Sequence, residues 1–173
     1  HMTDILNDVL SISKLEEGKI TAVLEDFNVK EFISLLVNEL RSLLKKGQQI
    51  NYSHSGNEKI ILDQKILKNI LFNLVSNAIK FSPEGKQIEV FTEVNNSKFI
   101  LKIKDHGMGI SQEDQQHLFE RFFRGQNVIN IQGTGLGLNI VTKYVEMLNG
   151  EIDFKSELEK GTTFTITLPV QKK

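Results

Sequence analysis

The chain has 173 residues, enough for one domain with a well-buried core, and 21 basic against 22 acidic residues leave a formal net charge of −1. That balance excludes the basic footprint of a nucleic-acid binder or of a polybasic membrane-surface protein. The absence of cysteine excludes disulfides, thiolate metal sites and a cysteine nucleophile, and no apolar run reaches the length of a membrane span.

His1-Met2 reads as a cloning remnant, so the chain is expected to be an excised piece, cytoplasmic because no signal peptide is visible. Residues 3–17 carry Ile5, Leu6, Val9, Leu10, Ile12 and Leu15 as a wide apolar helical stripe that Gly18 ends. So much apolar surface close to a cut end is expected to belong to a neighbouring part that has been removed. A short strand is expected within 20–27, and Asn28 suits the N-cap of a helix over 29–46 stopped by Gly47. Residues 49–54 and 59–62 read as short strands around the turn Ser55-Gly56-Asn57.

Asp63 caps the next helix, which Ser82-Pro83 breaks. Its apolar face (Ile66, Leu67, Ile70, Leu71, Leu74, Val75, Ala78, Ile79) is regular, but Asn69, Asn73, Asn77 and Lys80 fall within an arc of about 80° on the other side. Asparagine is a poor helix former, because its side chain competes for nearby backbone groups. Such a stripe is either a solvated face or a ligand face.

Residues 87–94 and 98–104 form a hairpin through Asn95-Asn96-Ser97, and Ser111 caps a short helix to about Phe123. Residues 124–134 have no periodicity and too few apolar side chains to offset the ordering cost of their backbone, so a mobile lid is expected there. A helix over 136–148 ends at Asn149-Gly150, and strands over 151–155 and 162–168 close the chain. The fold class is α+β: a two-layer α/β sandwich, one mixed, mostly antiparallel sheet with helices on one face.

Two glycine boxes follow the asparagine helix. Asp105-His106-Gly107-Met108-Gly109-Ile110 stands at a strand end, where glycines permit tight turns and close approach of a flat ligand, and a carboxylate can accept from an exocyclic amine. Gly133-Thr134-Gly135-Leu136-Gly137-Leu138 opens a helix whose bare N–H groups and dipole suit phosphate. It lacks the preceding strand and later acidic residue of a dinucleotide fold, and no Gly-Lys-Ser/Thr of a Walker loop is present. Gly161-Thr162-Thr163-Phe164 enters the last strand.

With Phe119-Glu120-Arg121-Phe122-Phe123-Arg124 between the two boxes, this ordered set resembles the ATP-binding catalytic domain of sensor histidine kinases. That family sits within the ATPase superfamily of gyrase, the heat-shock chaperone and mismatch-repair proteins, whose fold is the Bergerat type. The resemblance covers about residues 24–170, and Leu15-Glu16-Glu17-Gly18-Lys19 is similar to the end of the family's second dimerisation helix. It implies a remnant of the dimerisation and phosphotransfer helix over 3–19 and a catalytic domain over 20–173.

The resemblance implies ATP and Mg²⁺ as cofactors. Asn77 would ligate the metal with Asn73 beside it, Lys80 would face the phosphates, and Phe81 replaces a common tyrosine. Asp105 would accept the adenine amino hydrogen, Gly107 and Gly109 would make room for the ring, and Ile110 would line it. Gly133, Thr134, Gly135, Leu136, Gly137 and Leu138 would hold phosphate, and Thr162 would reach adenine through water. Arg124, with Arg121 as rival, would stabilise γ-phosphate charge in transfer, making Asn73 and Arg124 the catalytic candidates. Asn69 is left to solvent.

None of His1, His54, His106 and His117 fits the family's phosphoacceptor, so the substrate histidine is expected on a part not included. Expected partners are the chain's own dimerisation domain and a response-regulator receiver, with no nucleic acid and no direct membrane contact. The piece itself would be monomeric, and its parent a homodimer that a membrane anchor could hold. Alternatives are an anti-sigma-type serine kinase and a non-catalytic ATP-sensing or docking module.

Overall fold

A computed structural model describes residues 2–125 and 133–171, without side-chain detail for 2–5. Most of the lid segment expected within 124–134 therefore lies outside the described residues. The elements are α1 (Met2–Glu16), β1 (Glu25–Asn28), α2 (Val29–Leu40) continued by a 3₁₀ turn (Arg41–Leu43), β2 (Gln49–Gly56), β3 (Lys59–Leu62) and α3 (Gln64–Phe81). There follow β4 (Gln87–Asn95), β5 (Lys98–Lys104), α4 (Gln112–Gln115), α5 (Gly137–Met147), β6 (Glu151–Glu157) and β7 (Gly161–Pro169).

Period-two alternation builds the main sheet. Ile88, Val90, Thr92 and Val94 on β4, Phe99, Leu101 and Ile103 on β5, and Phe164, Ile166 and Leu168 on β7 are all buried, while their neighbours alternate outward. Five strands run in the order β2-β4-β5-β7-β6, antiparallel except for the parallel pair β2/β4. A parallel pair needs a crossover connection, and β3 with α3 supplies it. Helices α2, α3 and α5 cover the buried face, which is the expected two-layer α+β sandwich.

Most expected elements stand at their places, with three differences. The strands around Ser55-Gly56-Asn57 do not pair with each other: β2 joins β4, whereas β3 pairs with β1 in a separate two-stranded ribbon. The helix after Asn28 ends at Leu40 rather than near Lys46, because the chain tightens into 3₁₀ geometry and then extends at Leu44. The helix capped by Ser111 is one turn long.

The caps read from sequence are present. Asn28 Oδ1 accepts from the Glu31 N–H at 3.0 Å, and Asp63 Oδ1 accepts from the Ile66 N–H at 2.9 Å. Asp63 Oδ2 also accepts from the Val23 N–H at 2.7 Å, so one buried carboxylate both starts α3 and ties down the preceding segment.

The C-terminus of α3 is fixed by two side chains from the loop before β2. Gln48, 5% exposed, donates from Nε2 to the carbonyls of Ile79, Ser82 and Pro83, while its Oε1 accepts from the Lys45 N–H. Lys45 Nζ donates to the carbonyls of Lys80 (2.7 Å) and Ser82 (2.9 Å), a cation at the negative end of the helix dipole. Gln48→Ala would leave the buried Ile79 carbonyl without a donor, while Ser82 keeps Lys45 and Pro83 keeps the Lys86 N–H, and should cost about 1–3 kcal/mol. Urea unfolding should show a lower midpoint with an unchanged slope, and an unchanged midpoint would mean that water replaces the amide without penalty.

Candidate functional site

A cavity of about 770 Å³ opens between α3, the end of the sheet and the N-terminus of α5. One wall is the polar side of α3, with Asn73, Asn77, Lys80 and Phe81 lining it. The helix's apolar side is buried against the sheet, and of the polar stripe opposite it Asn73, Asn77 and Lys80 face the cavity. Asn69 does not line it: its Nδ2 donates to the Tyr144 hydroxyl of α5 at 3.4 Å, joining the two helices.

Asn73 Nδ2 donates to the Asn69 carbonyl at 2.8 Å, one turn back on its own helix. This turns Oδ1 towards α5: a Cβ on Gly137 would lie 3.0 Å from it. Eight residues further along α3, the Phe81 carbonyl accepts from the Met108 N–H at 3.3 Å. The cavity therefore runs along about 12 Å of helix, from the Asp105 loop at one end to the α5 N-terminus at the other.

The sheet end holds Asp105, just beyond β5, and Thr162, the second residue of β7. The backbones of the two bridge, with the Asp105 N–H donating to the Thr162 carbonyl at 2.9 Å. Asp105 Oδ1 accepts from the N–H groups of Gly107 (2.9 Å) and Thr162 (3.2 Å), which aims the carboxylate and leaves Oδ2 for the cavity. Burial raises the Asp105 carboxyl above the ordinary aspartate range, opposed by those two N–H groups. Ile103, Leu74, Ala78, Met108 and Phe164 make the surrounding slot apolar.

Gly107 and Gly109 are glycines for a different reason from the ring space expected of them. A Cβ on Gly107 would stand 2.4 Å from the Phe81 carbonyl oxygen, and one on Gly109 (φ +68°) 2.0 Å from the Glu157 carbonyl oxygen. Both let the loop lie against neighbouring backbone. Gly107 does not line the cavity, whereas Gly109 and Ile110 do.

At the other end, Gly133, Thr134, Gly135, Gly137 and Leu138 line the cavity. Leu136 is fully buried in the core and contributes backbone only. Its N–H donates to Thr134 Oγ1 at 3.1 Å, and no side chain caps α5, so the first turn of that helix is left with N–H groups facing the cavity mouth. Arg124 lines the cavity, while Arg121 pairs with Glu16 of α1.

Several contributors were not anticipated. Asn7 and Asp8 of α1 line the cavity, and Thr134 Oγ1 donates to Asp8 Oδ2 at 2.7 Å, a contact between positions too far apart in the chain for any local pattern to show. Leu43, from the 3₁₀ turn, also lines it. Ser156 stands behind Thr162; a polar residue at an inward position of β6 was the available clue.

The profile of the histidine kinase-, DNA gyrase B-, and HSP90-like ATPases matches residues 62–172, from the end of β3 through the last strand. The chain belongs to this ATPase family. It is 37% identical over 181 residues to the autoinducer 2 sensor kinase/phosphatase LuxQ of Vibrio parahaemolyticus, covering 99% of this chain and 21% of LuxQ. It is 33% identical to the circadian input-output histidine kinase CikA of Synechococcus elongatus, covering 99% of this chain and 24% of CikA.

The chain thus spans between a fifth and a quarter of the length of these curated relatives. Among solved structures, the mycobacterial sensor histidine kinase MprB superposes with a TM-score of 0.73 at 27% identity, over 87% of this chain and 100% of that one. Full-length ShkA in complex with AMPPNP shares the fold, with a TM-score of 0.88 at 24% identity over 100% of this chain and 36% of ShkA. No described helix is long and apolar enough to cross a membrane.

The raised Asp105 carboxyl carries a stability consequence. Its folded-state pKa lies above the unfolded value, so its contribution is fully present below the unfolded pKa and is lost as pH rises through the folded one. At neutral pH the unliganded protein bears the cost of a buried charge, which Asp105→Asn removes while keeping an acceptor for both N–H groups. The variant should therefore melt at or above the wild-type temperature at pH 7, and lose that advantage as pH falls towards 4. A variant that melts lower at pH 7 would show the ionised carboxylate to be stabilising.

Proposed function

We propose that this chain is the ATP-binding catalytic domain of a two-component sensor histidine kinase, which transfers the γ-phosphoryl group of ATP to a histidine on a dimerisation domain. The supporting observation is the polarity of the cavity. An aimed, buried carboxylate stands in an apolar slot at one end, Asn77 and Lys80 lie along the α3 wall, and Asn73 and bare helix N–H groups stand at the other end, with Arg124 also lining the cavity. A nucleoside triphosphate has the complementary pattern: a flat base with an amino donor, then a chain of negative charge.

In this assignment Asp105 Oδ2 accepts from the 6-amino group of adenine, with Ile103, Met108, Ile110 and Phe164 against the ring faces. Lys80 and the N–H groups around Gly133, Gly135 and Gly137 receive the phosphates. Lys80 is exposed and so answers phosphate charge without a burial cost of its own. Arg124 stabilises the charge that spreads over the γ-phosphoryl oxygens as the bond to ADP breaks. Transfer then depends on positioning and charge rather than on covalent chemistry by the protein.

The residues present fit a Mg²⁺ ion. Among the described residues no group of three or more His, Asp or Glu could cage a metal, which disfavours a tightly held structural ion. Asn77 and Asn73 instead offer neutral amide oxygens, and Asn73 Oδ1 is held out from the helix because its Nδ2 is bound to the Asn69 carbonyl. A hard cation that keeps several waters and shares oxygens with phosphates suits such a partial ligand set. When bound, Mg²⁺ would neutralise phosphate charge next to these two side chains.

Residues 3–19 are assigned to the end of a dimerisation helix. The partners that follow are the histidine-bearing dimerisation domain, which would make the parent a homodimer, and a receiver domain downstream. LuxQ is a sensor kinase/phosphatase and CikA a histidine kinase, which supports the same activity class for the parent of this chain.

Two measurements test the proposal. Calorimetric titration with Mg-ATP should rank the amides: Asn77→Ala weakens binding by roughly 10²-fold, Asn73→Ala by less, and Asn69→Ala hardly at all. If Asn69→Ala proved the most damaging, the ligand face of α3 would be misplaced. Incubated with labelled ATP, the chain alone should gain no acid-labile phosphate, whereas adding the parent's dimerisation domain should give phosphohistidine on that domain. Arg124→Ala should slow this transfer by about 10²-fold or more. Stable phosphohistidine on the isolated chain would overturn the assignment.

A further inference from the structure

Ser156 lies on β6 behind Thr162 and does not itself line the cavity. Its Oγ has three polar neighbours: the Ile110 N–H at 2.9 Å, the Gly161 carbonyl oxygen at 3.1 Å and Thr162 Oγ1 at 2.7 Å. A serine hydroxyl offers one proton and two lone pairs. The Ile110 amide can only donate and the Gly161 carbonyl can only accept. All three contacts are satisfied together in one arrangement: Ser156 gives its proton to Gly161, accepts from Ile110 and accepts from Thr162.

The Thr162 hydroxyl proton is therefore spent on Ser156. Thr162, 6% exposed, turns only lone pairs towards the cavity. Beside it the Asp105 carboxylate, anchored through Oδ1 to the Thr162 N–H, is also an acceptor. Bulk water has little access to compensate for a mismatch at either group.

We propose that Ser156 is a specificity-determining positioning residue: by taking the Thr162 proton it makes the base-facing wall of the cavity acceptor-only, and so selects a 6-aminopurine over a 6-oxopurine. This rests on the assignment of the cavity to a nucleoside triphosphate. Adenine presents amino protons to this wall, whereas guanine would bring its 6-oxo lone pairs against two acceptors. Without Ser156 Oγ, the Thr162 hydroxyl regains its rotational freedom and can swing its proton round to meet the oxo group. The Ile110 loop stays anchored in that case, because Gln115 Nε2 bridges the carbonyls of Ile110 (2.8 Å) and Ser156 (3.2 Å).

The test is titration of the whole chain with Mg-ATP and with Mg-GTP, read as the ratio of the two affinities. Ser156→Ala should lower the ATP-over-GTP ratio by about tenfold, mainly through tighter GTP binding. Ser156→Thr, which keeps the hydroxyl, should preserve the ratio. In a Thr162→Val background, Ser156→Ala should change the ratio no further, because the hydroxyl it acts through is gone. A wild type that discriminates while Ser156→Ala keeps the full ratio overturns the inference alone. So does a ratio that falls equally in the valine background.

If Ser156→Ala does not fold, Thr162→Val decides, since an unchanged ratio there means that the hydroxyl faces no base. A wild type that binds neither nucleotide removes the nucleotide assignment and the inference with it.

Discussion

A helix leaves its last carbonyls without partners, and in α3 those carbonyls lie where three parts of the chain meet. The carbonyls of Ile79, Lys80, Ser82 and Pro83 take donors from Lys45 and Gln48, on the loop before β2. The Phe81 carbonyl takes the Met108 N–H, and Gly107 and Met108 can come this near only because position 107 has no Cβ. Satisfying one helix terminus thus fixes the distance between Asn77 and Lys80 on the helix and Asp105 on the loop. The geometry of the cavity follows from that closure, since both walls refer to the same five carbonyls.

The sheet contributes its end rather than its face. Its covered side is filled by Val90, Leu101, Ile103 and Ile166 under the helices, which leaves no room for a ligand in the middle. At the end of β5 and the start of β7, pairing continues for one more step between Asp105 and Thr162 while the helical layer has already diverged. A buried carboxylate can be held there by backbone N–H groups with its second oxygen facing open space. The raised Asp105 carboxyl reflects this compromise: burial costs the charge more than the two hydrogen bonds return in the unliganded protein.

Much of this was legible in the chain, for identifiable reasons. Asn28, Asp63 and Ser111 announced their helices because capping is a local hydrogen bond between neighbours, and all three caps are present. The asparagine stripe stood out because three poor helix formers at four-residue spacing lie opposite a regular apolar face, a pattern that fits a solvated face as well as a ligand face. Strand pairing was less legible. Ser55-Gly56-Asn57 resembles a hairpin turn, yet β2 and β3 separate because the core needs Ile50 beside Ile88 in one sheet and Ile60 beside Phe27 in another. Local turn chemistry carries no information about that choice. Residues of both glycine boxes line the same cavity, but Gly107 and Gly109 also serve backbone packing, which only the fold reveals. Ser156 and Asp8 were hidden because their partners at Thr162 and Thr134 are brought to them by tertiary structure.

The two ends of the cavity are held by interactions of unequal kind. At the Asp105 end, the Gly107 and Thr162 N–H groups donate to the buried Asp105 carboxylate, the Asp105 N–H to the Thr162 carbonyl and the Met108 N–H to the Phe81 carbonyl, and opening the buried ones strands a polar group away from water. At the α5 end, side-chain contacts nearer solvent join α1 to the cavity: Thr134 to Asp8, and Arg121 to Glu16, whose side chains are 43% and 41% exposed. Exposed pairs of that sort contribute about 0–1 kcal/mol each, because water competes for both partners. Releasing the α1 contacts is therefore cheap, and opening the Asp105 end is expensive. Glu16 of α1, the helix that packs against α5, pairs with Arg121, while Arg124 lines the cavity. The Asp105 end is thus set in the buried core of the domain, whereas the α5 end is assembled in part from contacts that a change in the position of α1 can make or release.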